Sequence, residues 1–325
     1  MATFARPSFS AKAYAAFRPT YPASLFRRIL DYHRLPLTTG TATATTESLL
    51  VDLGCGHGLV ARALSPHFQR VVAIDPSAGM VEQARKMTTT TAERGRNNSS
   101  KSNSNITFRQ GRAEELADEH VTVQKTVDMA VAGQAAHWFD QGRVWAQLAR
   151  ALKPGGTVAY WGYLDNVLVG NEQATAAMES FVYGFGEVAP GIEGMGPYWE
   201  QPGRNILRGL LRSVQVPPED WEDVTRLEHE PGDMRDGEDV AWLRKRMRLG
   251  EVEAYTRTFS CYSAWRDAHP DIRSREEGGQ GGDVVDVMWD RMVDSVPAWK
   301  AMGDSWREAE VVSDWGTYLI MARRR

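Results

Sequence analysis

Hydrophobic positions in the first half of the chain fall into two patterns that alternate. Short, mainly apolar runs cover 49–53, 71–75, 127–132 and 157–163, which is typical of buried strands, and the strand pattern at 106–110 is more polar. Between these runs, apolar residues recur every three or four positions, and this spacing predicts amphipathic helices over 22–35, 59–68, 78–87 and 140–152. Strands that alternate with helices indicate an α/β fold with a parallel sheet covered on both faces.

The second half of the chain loses this alternation. Residues 184–203 are rich in glycine, and helical spacing returns over 240–249, 251–269 and 284–296. Two apolar runs, 308–312 and 315–322, flank a polar pair and predict an antiparallel hairpin. We therefore expect four parts: an N-terminal arm and helix (1–48), a sheet core (49–164), a helical insertion (165–305) and a terminal hairpin that completes the sheet (306–325).

Composition narrows the class of protein. The 325 residues are 42% hydrophobic with a formal net charge of -4, which suits a globular chain and not a polybasic nucleic-acid binder. We see no signal-peptide pattern and no apolar run of about 20 residues, so a cytoplasmic protein without a membrane span is expected. Two polar stretches, 38–46 and 88–105, carry too few apolar residues to order themselves, and we expect a flexible connection and a mobile insertion.

Two cysteines, Cys55 and Cys261, are expected to be free thiols, and no metal site is predicted. The sequence VDLGCGHG at 51–58 follows the first predicted strand, and Asp75 ends the second. Glycines at such a turn let the backbone approach a ligand, and an acid at the next strand end suits both hydroxyls of a ribose. Cys55 fits there as a small residue and is not expected to be a nucleophile.

Two nucleoside cofactors compete for this turn. A dinucleotide fingerprint requires its third glycine at the position of Leu59, whereas here it is Gly58. Asp52 stands two residues before the first glycine, where a carboxylate repels a pyrophosphate but suits the amino group of a methionine tail. The spacing favours S-adenosylmethionine, with an NAD-dependent oxidoreductase or a purely structural turn as the alternatives.

Four segments together resemble the motifs of class I S-adenosylmethionine-dependent methyltransferases: VDLGCGHG, AIDPSAGM, AAHWFD and LKPGGTVAYWGY. AYAAFRPTYP, GPYWEQPGR and CYSAWRDAHP resemble, more narrowly, the fungal trans-aconitate methyltransferase group. The resemblance implies a Rossmann-like, seven-stranded, mostly parallel sheet with an antiparallel last strand and a helical cap insertion. It also implies methyl transfer from S-adenosylmethionine to a small-molecule acceptor.

The resemblance implies which residues contact the methyl donor. They include a lid near the N-terminus, and Ala113 would make its contact through its backbone. These cofactor-binding residues are Tyr14, Arg18, Asp52, Gly54, Gly56, Gly58, Asp75, Met80, Ala113 and Gln134. Met80 has an alternative role in the core. Asp75 would hold the ribose, and Asp52 and the glycines the methionine part.

Other residues are expected to border the acceptor. They are Tyr21, Trp138, Trp161, Tyr163, Tyr198, Trp199, Glu200, Arg204, Tyr262 and Trp265. Arg204 is the residue that would bind an acceptor carboxylate, unless a neighbouring acid such as Glu200 pairs with it. His137 is the candidate catalytic base for a hydroxyl or amine acceptor, and an orienting or structural residue if the acceptor is a carboxylate.

The predicted function is thus methyl transfer to an oxygen, above all a carboxylate, of a small organic or natural-product acid. The alternatives are the NAD-dependent oxidoreductase and a protein that binds the donor and regulates a partner without turnover. The acceptor's identity and the oligomeric state stay open at this stage.

Overall fold

The computed structural model describes residues 19–34, 48–94, 105–118, 124–233 and 242–325. The helices within these ranges are α1 (Ala23–Arg34), α2 (Leu59–Leu64), α3 (Ala78–Arg94), α4 (Gln141–Ala151), α5 (Glu172–Val182), α6 (Gly203–Arg208), α7 (Leu249–Thr256), α8 (Ser260–Ala268), α9 (Val284–Ser295) and α10 (Pro297–Lys300). The strands are β1 (Leu49–Leu53), β2 (Arg70–Asp75), β3 (Ile106–Gln110), β4 (Val127–Gly133), β5 (Leu152–Leu168), β6 (Glu187–Ala189), β7 (Ile192–Glu193), β8 (Trp221–His229), β9 (Arg244–Arg248) and β10 (Glu310–Arg324).

One large sheet carries the fold, with strand order β3-β2-β1-β4-β5-β10-β8. Strands β1 to β5 pair in parallel, and β10 runs antiparallel to β5, β8 and β9. The prediction of a mostly parallel α/β sheet with an antiparallel last strand is confirmed. Seven strands form the continuous path, and an eighth, β9, pairs with the first part of β10.

The core has two layers, one on each face of the sheet. All five residues of β1 are buried, and they alternate between the layers: Leu50 packs on one face, and Leu49, Val51 and Leu53 on the other. Burial on both faces explains why the strand is an unbroken apolar run, since each fully buried Val or Leu contributes about 1.5–3 kcal/mol. The carboxyl ends of β1, β2 and β4 therefore meet at one edge of a rigid sheet.

The predicted terminal hairpin is wrong. Residues 310–324 form one long strand, in which the polar pair expected at a turn, Ser313 and Asp314, is fully buried. Asn166 donates to the Ser313 hydroxyl at 2.7 Å, and Asp314 accepts from Arg244 at 3.0 Å. Partners from other strands satisfy both side chains, so a pattern that looks like a turn locally is a buried polar rung of the sheet.

Two further expectations about the second half need correction. Part of the helix predicted over 240–249 is instead strand β9, whose backbone pairs antiparallel with Glu310–Asp314 of β10. Strand β8 lies within the segment expected to be a helical insertion, yet it joins the main sheet beside β10. The helix predicted over 284–296 is confirmed as α9, which Asp283 caps.

Several polar segments fall outside the described residues, including all of the predicted flexible connection at 38–46 and positions 95–104 of the predicted insertion. Residues 88–94, expected to belong to the mobile insertion, are instead the last part of α3. In the described ranges, we find no helix with the length and apolar character needed to cross a membrane.

Candidate active site

The glycine turn links the end of β1 to α2 and is pressed between neighbouring strands. Gly54 and Gly58 have φ angles of +69° and +83°, in the left-handed region that favours glycine. A Cβ on Gly54 would lie 2.6 Å from the Ala135 Cβ, and one on Gly58 would lie 2.7 Å from the Phe108 ring. The turn can therefore pack this closely against its neighbours only because these positions carry no side chain.

Asp75 lies beside this turn at the end of β2. Its carboxylate accepts hydrogen bonds from the backbone N–H of Gly56 at 2.9 Å and of Ser77 at 2.8 Å. Each bond engages one oxygen, which leaves a second lone pair on each, and the residue lines the cavity described below. Two acceptor positions on one fixed carboxylate match the two adjacent hydroxyls of a ribose.

Asp52 lies deeper, with 1% of its surface exposed. One of its oxygens accepts the backbone N–H of Ala61 in α2 at 3.0 Å. The pKa of this carboxyl is raised to about 7, because burial and the negative charge of Asp75 together outweigh the hydrogen bond from Ala61, which lowers it. A buried acid that also faces a cavity is stabilised in its charged form by a cation, such as the ammonium group of an amino-acid tail.

A cavity of about 230 Å³ opens above these residues at the carboxyl edge of the sheet. Seven of the predicted cofactor-binding residues line it: Asp52, Gly54, Gly56, Asp75, Met80, Ala113 and Gln134. Of the residues expected at the acceptor, it is lined by Tyr21, Trp138 and Tyr163. Gly58 is set behind the turn against Phe108, and Tyr14 and Arg18 lie outside the described residues.

Sequence reasoning missed Glu114, which also lines this cavity. Its side chain is 4% exposed, and one oxygen accepts the backbone N–H of Asp140 at 3.0 Å. An acid immediately after Ala113 was the available signal, because Arg112 occupies the position where the resemblance places an aspartate. Cys55 lines the cavity too, and burial raises the pKa of its thiol, so it stays protonated near neutral pH.

A second, smaller cavity of about 50 Å³ adjoins the first, and both are lined by Gln134, Trp138 and Tyr163. The smaller one extends toward the segment after β5 and is lined further by His137, Leu164, Asp165, Trp199, Arg204, Leu207, Tyr255, Phe259 and Ser260. A group held there would meet the larger cavity at the shared wall.

Arg204 lies at the smaller cavity, but its partner differs from the one considered from sequence. Its guanidinium forms an ion pair with Asp165, not Glu200, and hydrogen bonds to the Tyr183 hydroxyl. It stacks 3.7 Å above the Trp199 ring. The Arg204 Nε is buried without a hydrogen-bond partner, so one donor of the guanidinium is unused.

His137 borders the same cavity with 5% of its surface exposed. Burial and the nearby positive charge of Arg204 lower the pKa of its imidazole to about 3. The ring is therefore neutral near pH 7, and its conjugate acid is too strong for efficient general-base catalysis. Its Nδ1 is buried without a hydrogen-bond partner.

Five residues expected at the acceptor border neither cavity: Trp161, Tyr198, Glu200, Tyr262 and Trp265. Trp161 is fully buried and meets Tyr21 edge to face, with ring centroids 5.7 Å apart. Trp265 donates to the Glu193 carbonyl at 2.8 Å, and Tyr262 donates to Asp283 at 2.6 Å. Trp265 and Tyr262 support the site from the core, since their polar atoms are used in these hydrogen bonds.

Known proteins are similar to this chain in sequence and in fold. Residues 51–160 match the family described as a methyltransferase domain. The chain is 26% identical over 278 residues to CRG1 of Saccharomyces cerevisiae, a "probable S-adenosylmethionine-dependent methyltransferase", in a match that covers 82% of this chain and 84% of that protein. It is 29% identical over 216 residues to the methyltransferase cfoB of Aspergillus candidus, covering 66% of this chain and 61% of that one.

A solved structure from Anaeromyxobacter dehalogenans, described as a "putative type II methyltransferase", has the same fold. Its TM-score is 0.59 at 22% identity, and the alignment covers 94% of this chain and 98% of that one. The match over 51–160 identifies a methyltransferase domain within this chain, and the S-adenosylmethionine-dependent relative supports that molecule as the methyl donor.

Proposed function

We propose that this protein methylates a carboxylate oxygen of a small organic or natural-product acid, as the resemblance to the trans-aconitate methyltransferase group suggests. The observation that carries the proposal is the charge at the smaller cavity. Arg204 and Asp165 both line this cavity and form an ion pair, and the partly exposed Arg208, outside the lining, approaches the same carboxylate at 3.9 Å. The cluster has a net positive charge and an unused donor on Arg204, which suits an anionic acceptor.

Helix α8 begins at this cavity, and its N-terminus adds to the positive charge there. Phe259 and Ser260, at the start of α8, line the cavity, and Phe259 provides no side-chain hydrogen bond to cap the helix. The N-terminus of an α-helix carries a partial positive charge and unpaired N–H groups. Because the N-terminus of α8 lies at the cavity, it favours an acceptor oxygen that bears negative charge there.

The neutral His137 supports a carboxylate over a hydroxyl or amine. A hydroxyl acceptor needs a base that removes its proton, and an imidazole with a pKa near 3 is poor at this task. A carboxylate is already ionised near neutral pH and needs no base. His137 is then a neutral polar wall that orients the acid.

The residues around the larger cavity would hold the donor. Asp75 would accept hydrogen bonds from the ribose hydroxyls, Asp52 would face the ammonium group, and Met80 would pack against the nucleoside. When bound, S-adenosylmethionine supplies a methyl group on a sulfonium centre, which the carboxylate oxygen accepts to give a methyl ester and S-adenosylhomocysteine. The contribution of the protein is to align the two reactants and exclude water at the wall shared by the cavities.

This arrangement assigns a task to each part of the chain. The core at 49–164 would bind the donor, and the segment after β5 would supply the acceptor side through Arg204, Trp199 and the start of α8. The small second cavity, of about 50 Å³, supports a small acceptor.

The test is incubation with methyl-labelled donor and a panel of small carboxylic acids, trans-aconitate included, followed by mass detection of methyl esters. We expect an ester from at least one acid, and a rise of about tenfold or more in its KM for Arg204→Met, since a charged hydrogen bond is lost. Arg212→Met is the control, because Arg212 is paired with Glu228 and Glu230 outside both cavities.

Other outcomes would overturn the proposal. Methylation of hydroxyl or amine compounds only would refute the carboxylate acceptor while leaving the methyltransferase assignment intact. Tight binding of S-adenosylhomocysteine without turnover on any compound would support a regulatory role.

A further inference from the structure

The side chain of Gln134 makes an unusual contact just beyond the end of β4. Its Nε2 donates to the backbone carbonyl of Tyr163 at 2.7 Å, and its Oε1 accepts the backbone N–H of the same residue at 2.8 Å. Both halves of the side-chain amide are thus used on Tyr163. Gln134 lines the larger cavity, but these bonds leave its amide poorly placed to serve as a donor ligand.

This contact continues the β4–β5 ladder after the backbone of β4 has turned away. The last backbone pair joins Gly133 to Trp161, and the Gln134 N–H then donates to the Trp161 carbonyl at 2.8 Å. Two residues further along β5, the side chain of Gln134 takes the place of the missing peptide group. A primary amide offers the same donor and acceptor as a peptide, so the substitution costs no hydrogen bond.

The backbone of Gln134 is held in a conformation that is rare for its residue type. Its φ angle is +55°, in the left-handed region where a side chain is unfavourable. Strain of this kind persists where the surrounding structure requires it, and it is concentrated near functional sites. Opposite it, Gly162 allows the contact, since a Cβ there would lie 2.5 Å from the Gln134 Oε1.

We propose that Gln134 is a positioning residue that fixes Tyr163, and through it the wall between the donor and acceptor cavities, and that it does not bind the donor with its side chain. Tyr163 lines both cavities, so a shift of its backbone changes how the two reactants meet. The part of this inference that concerns methyl transfer rests on the proposed function. The hydrogen-bonded role of Gln134 does not.

Two variants separate the possible roles. Gln134→Gly tolerates the positive φ and removes the side chain, so the contact with Tyr163 is lost together with the part of the cavity wall that this side chain forms. Gln134→Glu keeps the size and the acceptor for the Tyr163 N–H, but it places an oxygen against the Tyr163 carbonyl. Gln147→Ala is the matched control, because Gln147 also makes a side-chain bond to a backbone group, the N–H of Ala117 at 2.8 Å, away from both cavities.

Three measurements give the result. In Gln134→Gly we expect amide hydrogen exchange at Tyr163, followed by NMR, to become about tenfold faster or more, as for an amide that loses its partner. We expect the Kd of S-adenosylhomocysteine, by calorimetry, to stay within about twofold, and kcat with trans-aconitate to fall about tenfold in both variants, as misalignment does. Gln147→Ala should leave all three at the wild-type values.

The inference is overturned if Tyr163 exchange is unchanged in Gln134→Gly, or if S-adenosylhomocysteine affinity falls about tenfold, which would make Gln134 a donor ligand. If no acid is methylated even by the wild-type protein, the proposed function fails. The exchange and affinity measurements still decide the role of Gln134 in that case.

Discussion

The carboxylate of Asp75 accepts the backbone N–H of Gly56 at 2.9 Å, which ties the end of β2 to the middle of the glycine turn after β1. The bond joins two motifs that are separated in sequence and places them on one cavity. The turn and the acid therefore form one unit, in which the shape of the backbone and the position of the charge depend on each other.

This unit predicts a clear effect of removing the acid. Asp75→Ala should weaken S-adenosylhomocysteine binding by about tenfold or more, since a charge-assisted hydrogen bond contributes about 1.5–3 kcal/mol. Calorimetry measures the affinity, and a thermal-unfolding scan reports how far the turn itself is destabilised. Asp31→Ala, on the exposed face of α1, is the control. An unchanged affinity would remove Asp75 from the donor site.

Asp52 predicts a pH dependence of donor affinity. Its pKa is raised to about 7 in the folded protein, so the free site is largely protonated at pH 6 and ionised at pH 8. If the charged form binds the ammonium group, the affinity for S-adenosylhomocysteine should rise about tenfold from pH 6 to pH 8, in proportion to the ionised fraction. Asp52→Asn should bind more weakly and show a flatter profile. An equal slope in both proteins would contradict this role.

The same group predicts how stability changes with pH. An acid whose pKa is raised by folding binds more protons in the folded than in the unfolded state between its two pKa values. Its protonation therefore stabilises the fold at low pH, and this contribution is lost as pH rises through about 7. Urea unfolding of wild type and Asp52→Asn at pH 5.5 and 8 should show a smaller loss of unfolding free energy in the variant. A loss of equal size would argue against the shift.

For His137 we expect the opposite dependence of folding stability on pH. The pKa of His137 is lowered to about 3 in the folded protein, so below about pH 6.5 the unfolded state binds a proton that the folded state does not. The free energy of unfolding therefore falls as the pH drops below about 6.5.

A separate prediction concerns catalysis by His137. The variant His137→Gln should retain ester formation within about tenfold, because no base is needed for a carboxylate. A loss of about a hundredfold or more, with unchanged donor affinity, would restore His137 as a base. Rates across pH 6 to 9 with labelled donor provide the measurement.

Gly203 predicts a steric effect on the acceptor side. A Cβ at this position, the first of α6, would lie 2.6 Å from the Trp138 ring, which lines both cavities. Gly203→Ala should therefore displace Trp138 or α6 and reduce kcat/KM for the acid about tenfold or more, with donor affinity little changed, since small misplacement of a reacting pair is costly. Gly209→Ala, at the other end of α6, is the matched control because its nearest contact is 3.4 Å. Equal effects of both changes would count against this interpretation.

Much of the donor half follows from local patterns in the sequence. The strand at 49–53 is an unbroken apolar run because both faces of the sheet bury it, and glycines follow where the backbone turns back on its neighbours. The acid at Asp75 is recognisable because it ends the next apolar run. These features are encoded within short windows, so strand, turn and acid can be located without tertiary information.

The acceptor half could not be placed in this way. The partner of Arg204 is Asp165, which lies 39 positions earlier, and sequence proximity favoured Glu200. Ser313 and Asp314 have the local character of a turn, yet residues of other strands satisfy them inside β10. Pairing over long separations depends on how the chain packs, which a local pattern does not contain.

The sequence by itself determined the alternation of strands and helices, the glycine turn and the acids of the donor site, because backbone conformation and burial of successive residues are local properties. Only the tertiary structure decided that His137 is neutral, that Asp165 holds Arg204 and that Gln134 extends the ladder to Tyr163. Each of these depends on burial and on hydrogen-bond partners brought from distant segments, and those are fixed only when the whole core is assembled.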